Sequence, residues 1–177
     1  MPTDTTPPTD ITNLLPDEAL ARLRAAFNTA SYPGQTLETP DGRFGMYAQG
    51  VLVSRFLPAR RYVEVIGDYY YDDHKELGPT NRERVVLASL LAHANDGGYF
   101  FSLHVYWSLM IGLSPREIGW VIALCSAYSG IDRYTLGTTI TWEVLSVLKA
   151  QAEKGDAAAL APTVIVPILA QTFASRH

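Results

Sequence analysis

A single cysteine, Cys125, stands among the 177 residues. No disulfide can close within one chain, and no cysteine-rich metal knuckle can form. Charge is also sparse, at 18% of residues, and the net balance of −4 lacks the basic footprint of a nucleic-acid binder. No apolar run approaches the roughly 18 residues of a membrane span. The opening residues, Met1 to Asp10, carry prolines, threonines and acids where a secretory signal has a basic region and an apolar core. The expectation is a cytoplasmic protein with neither membrane nor nucleic acid as a partner. Internal repeats and low-complexity segments are lacking too. What is abundant is apolar surface, 47% of residues, which argues for a folded globule rather than a disordered chain. Residues 1–12 read as a loose tail, and residues 13–177 as one domain.

The clearest signals lie between Thr80 and Lys149. Thr80 with Glu83, and Ser114 with Glu117, both fit the capping box, in which a hydroxyl and a carboxylate satisfy the free amides of a helix start. Pro115 sits where a first-turn proline belongs. These marks and the apolar periodicity predict helices over 81–95, 98–111 and 115–129, and a fourth from Asp132 to Glu153. Upstream, Leu20, Leu23 and Phe27 give a short amphipathic helix opening at Pro16. Residues 28–42 read as a long loop punctuated by Pro33-Gly34 and Pro40-Asp41-Gly42. Residues 44–77 read as a further helical region, kinked at Pro58 and ending in Tyr69, Tyr70 and Tyr71. Residues 164–169, flanked by Pro162 and Pro167, read as an extended arm. Helices that are apolar nearly all round need cover on several sides, which predicts self-association.

His104 is the focus of the chemistry. It lies in a run with Tyr99, Phe100, Phe101 and Trp107, and a desolvated imidazole favours the neutral form that accepts a proton. The structural alternative is a core histidine held by one hydrogen bond. His93 precedes the Gly97-Gly98 turn and His104 follows it, so the spacing predicts two imidazoles at similar heights on antiparallel helices, offset by about 3 Å. A metal would need a third ligand, and Asp73 and His74 lie on another segment; no metal-ligand spacing is present. The turn from Tyr128 to Arg133 offers helix amides and a guanidinium to an anion, or merely ends one helix and starts the next. Cys125 reads as a small buried apolar side chain.

Arg82-Glu83-Arg84-Val85-Val86-Leu87-Ala88, His104-Val105, Gly112-Leu113-Ser114-Pro115-Arg116-Glu117-Ile118 and Ala127-Tyr128-Ser129-Gly130, in that order, resemble carboxymuconolactone decarboxylase proteins, whose superfamily includes the alkylhydroperoxidase D-like proteins. The resemblance covers about residues 77–148. It implies an all-α, alkylhydroperoxidase D-like helical bundle that assembles into trimers or hexamers, with the site near subunit contacts and His104 as the functional residue. The departures narrow it. The Cys-x-x-Cys pair of the peroxidase-like branch is replaced by Gly97 and Phe100, which excludes thiol redox chemistry. The acids that the decarboxylases place before the histidine are replaced by Gly98-Tyr99-Phe100-Phe101, and the spacing from Glu83 to His104 is longer.

The sequence therefore points to a cofactor-independent enzyme without a bound metal. Catalytic His104 would perform acid–base chemistry (decarboxylation, isomerisation or cyclisation) on a small hydrophobic cyclic or aromatic carbonyl compound. His93, Tyr99, Phe100, Trp107, Tyr128 and Arg133 would bind that substrate. The alternatives are a non-catalytic oligomer binding a ligand or partner, and a metal-dependent oxygenase using His93 and His104.

Overall fold

The computed structural model describes residues 10–32, 39–53, 77–93 and 98–174. Among them stand seven α-helices and no strand: α1 (Asp17–Thr29), α2 (Pro40–Val53), α3 (Pro79–Ala92), α4 (Tyr99–Met110), α5 (Pro115–Ser129), α6 (Ile131–Glu153) and α7 (Pro162–Ala174). The described residues adopt the expected all-α class. None of these helices is long and apolar enough to cross a membrane. The tyrosines Tyr69, Tyr70 and Tyr71, with Pro58, Asp73, His74 and Gly97, lie outside the described residues.

α4 is the central helix, because its sequence has no polar face to give to water. Phe101, Leu103, Val105, Tyr106, Trp107, Leu109 and Met110 are all buried on it, and α1, α3, α6 and α7 pack around it. Each such side chain contributes about 1.5–3 kcal/mol on burial. Its start depends on Gly98, whose φ of 87° suits glycine, and where a Cβ would overlap Ile140 of α6. Its far end is held by Arg24 of α1, which donates to the Leu109 carbonyl at 2.8 Å and the Leu113 carbonyl at 3.0 Å. α3 and α5 run in the same direction, linked by Arg84 to Glu117 at 2.7 Å and by Cys125 Sγ to the Ala88 carbonyl at 3.3 Å. α5 opens with the expected capping box, Ser114 and Glu117 bonding each other's backbone amides.

Two expectations of the helical layout are overturned. Residues 164–169 are not an extended arm but the heart of α7, in which Ile165, Val166, Leu169 and Phe173 are buried. Pro167 is tolerated because the carbonyl it leaves without a donor belongs to Thr163, in the exposed first turn. The 28–42 loop is shortened at both ends. Thr39-Pro40-Asp41 is a helix start rather than a turn, with the Thr39 hydroxyl accepting from the Gly42 amide at 3.1 Å. Residues 11–13, at the edge of the expected tail, form a 3-10 turn capped by Asp10, which accepts from the Thr12 amide at 2.8 Å.

Candidate functional site

The first turns of α3 bury two consecutive charged residues, Arg82 and Glu83. Glu83 lies in register with Leu87 and Leu91, the stripe that faces the core, so helix geometry turns its carboxylate inward. One carboxylate oxygen, Oε2, meets His104 Nδ1 of α4 at 2.7 Å. The other, Oε1, accepts from Arg82 Nε at 3.1 Å. The far side of the guanidinium grips Asp41 of α2 bidentately, at 2.9 and 2.7 Å. Trp107, one turn after His104 on α4, closes the group. Its indole N–H donates to Asp41, its ring stacks on the imidazole at 5.3 Å, and Arg82 lies over it, also at 5.3 Å. Three helices thus converge on one chain of charges, Asp41–Arg82–Glu83–His104.

Burial decides how these groups behave. The Glu83 side chain is 1% exposed and Arg82 6%. Burial by itself would lower the Arg82 pKa, but the Asp41 and Glu83 carboxylates outweigh it and hold the guanidinium above its ordinary value. At Asp41, burial pushes the carboxyl up, against the pull of Arg82 and the Trp107 indole. A buried ion chain of this kind persists only when every charge is paired and hydrogen-bonded. Among the described residues, Asp41 and Glu83 flank the guanidinium, and Glu83 also reaches His104.

His104 is the most exposed of the four, at 20%, with Asp41 next at 14%. A carboxylate only accepts, so the Glu83 contact puts a hydrogen on Nδ1 and leaves the lone pair of the neutral ring on Nε2. No described residue hydrogen-bonds to Nε2. This arrangement can take up a proton at Nε2 and return it, with the Glu83 carboxylate stabilising the imidazolium.

Comparison with known protein families, curated proteins and solved structures gives no match.

The residues expected from sequence are divided between two places. His104 and Trp107 come together, and Phe100, one turn before His104, shares its helix face and is 40% exposed. Tyr99 stacks obliquely against Phe100, with ring centroids 5.6 Å apart. His93 does not join them. It ends α3, exposed, with Nδ1 on the Ser89 carbonyl at 2.9 Å. His104 instead meets Glu83, ten residues or about 15 Å earlier on the same helix axis, so the expected imidazole pair is not formed. Tyr128, at 88% exposure, and Arg133 lie at the His93 end as well, where Gly137 of α6 packs against Leu91. Among the described residues no group of three histidine, cysteine or acidic side chains is placed to hold a metal ion.

Asp41 and Arg82 are functional candidates that sequence reasoning missed, and Glu83 is one it reads first as a helix cap and only second as a carboxylate near the pocket mouth. The expected cap pairs Glu83 with Thr80, but α3 begins two residues earlier, with Pro79 in its first turn and Gly78 as N-cap. Thr80 is therefore already inside the helix, and Glu83 lies past the capping position. The usable signal was a carboxylate in the four-residue register of Leu87 and Leu91. Asp41 gave no comparable sign, since its role depends on where α2 crosses α4.

Proposed function

We propose that this chain is a cofactor-independent enzyme of the carboxymuconolactone decarboxylase-like type. Its reaction moves a proton at a carbon beside the carbonyl of a small hydrophobic cyclic or aromatic compound. His104 Nε2 carries the proton, and Glu83 orients the ring and balances the charge that appears on it. Decarboxylation, isomerisation and cyclisation all pass through such a step. The observation carrying this reading is the 2.7 Å bond from buried Glu83 to His104 Nδ1, with Nε2 unbonded among the described residues. The flat face of Phe100 on the same side of α4 favours an apolar substrate. The alkylhydroperoxidase D-like bundle and its trimeric or hexameric assembly belong to the same proposal. Trp120, Leu124 and Tyr128, spaced four apart on α5 and all exposed, support self-association. Light scattering at micromolar concentration is expected to show an oligomer, and a monodisperse monomer of 19.5 kDa would remove that part.

The direct test is deuterium exchange from heavy water into a panel of cyclic and aromatic ketones and keto acids, followed by proton NMR. His104→Gln should cost about 10²–10⁴ in exchange rate while leaving the melting temperature nearly unchanged. Equal rates in wild type and a folded His104→Gln chain would remove His104 from the chemistry.

A further inference from the structure

Asp41 is remote from His104 in sequence, yet its seat is well defined. It stands in the first turn of α2, where helix amides favour a carboxylate. Phe44, one turn on, packs its ring against Trp107 at 5.0 Å, while Asp41 accepts the indole N–H of that same tryptophan. α2 is thereby registered against α4 by one residue's ring and nitrogen together. Asp41 then takes both hydrogen bonds that the Arg82 Nη2 atom offers it, which leaves Nε as the guanidinium's contact with Glu83.

We infer that Asp41 is a positioning residue that acts through Arg82 to keep Glu83 Oε2 on His104 Nδ1, and so fixes which imidazole nitrogen is free for proton transfer. A guanidinium has a strong tendency to take both oxygens of one carboxylate. Among the described residues two carboxylates lie within reach of Arg82, and Asp41 captures the nitrogen that would otherwise turn onto Glu83. With only Nε committed to Glu83 Oε1, the second oxygen stays on the imidazole. The inference rests on the reading of His104 as the proton carrier, and it adds a residue and a helix that this reading does not require.

The measurement is the tautomer of His104, read by nitrogen NMR on isotope-labelled full chain without any substrate. The chain has 4 histidines, and His104→Gln identifies the relevant signals by their loss. Wild type is expected to carry its hydrogen on Nδ1. Asp41→Asn keeps the shape and an acceptor for Trp107 but removes the charge that holds Arg82. It should shift the hydrogen to Nε2 and lower exchange activity about 10–100-fold, the usual scale for a residue that orients a histidine from behind. Arg82→Lys should do the same, since a point charge cannot span two carboxylates as the fork does. A native tautomer in a folded Asp41→Asn or Arg82→Lys chain overturns the inference. So does a wild type already protonated on Nε2, and so does failure of both variants to fold, which would assign the ion chain to stability alone. The proposed function fails separately, through a wild type with the Nδ1 hydrogen that exchanges no compound of the panel.

Discussion

Arg82 and Arg84 are two residues apart on α3, and each pairs with carboxylates, yet they belong to different physical worlds. Arg82 points inward between Asp41 and Glu83 and is 6% exposed, whereas Arg84 points outward to Glu117 with 38% and 43% of the two side chains exposed. Water screens the second pair and supplies hydrogen bonds to whatever a mutation leaves behind. It does neither for the first. A guanidinium on a buried face is therefore a commitment shared by three helices, while the same group on the surface ties α3 to α5 only weakly. The difference also explains where chemistry can reside, since a charge chain shielded from water transmits a change at one end to the other.

The largest effect is expected from Arg82→Ala, which strands the Asp41 and Glu83 carboxylates in the core. It should cost about 3–5 kcal/mol in urea unfolding, the scale for removing one partner of a buried pair. A loss no greater than that of Arg84→Ala would break the comparison. Ser114→Ala comes next. It removes the hydroxyl that accepts from the Glu117 amide at 3.2 Å, so about 1 kcal/mol should be lost in the same measurement.

Glu117→Gln should be the mildest, below about 1 kcal/mol at neutral pH for an exposed pair. Its pH dependence sharpens the contrast. The Ser114 amide and hydroxyl, then Arg84, hold the Glu117 carboxyl below its ordinary value. A depressed folded value means the contribution is complete above the unfolded value, about 4.3, and is lost as the pH falls through the folded one. The gap between wild type and Glu117→Gln should therefore close on acidification. A gap that widens in acid would contradict the assignment.

Much of the helical layout was legible because its causes are local. Helix starts such as Ser114-Pro115 with Glu117, and stops such as Gly130, act within four residues, so α5 falls at Pro115–Ser129 as expected. The same local logic failed where two causes share one pattern. Thr39-Pro40-Asp41 serves a turn or a helix start equally well. Pro167 forbids a helix only if the carbonyl it abandons has no access to water.

By itself the sequence determined an all-helical chain, a central helix without a polar face, a histidine set among aromatic residues, and too few cysteines for a thiol pair. Those follow from residue type and from a period of 3.6, and neither needs a partner from elsewhere in the chain. Only the tertiary structure decided what His104 is bonded to. Its partner Glu83 lies 21 residues away, Arg82 reaches Asp41 across 41 residues, and Trp107 reaches Asp41 across 66. Such contacts are set by the angles and heights at which α2, α3 and α4 cross, which a linear pattern does not encode. The same crossing left His93 about three turns of helix from Glu83, because packing of side chains, rather than distance from the connecting turn, fixes which residues of two antiparallel helices meet.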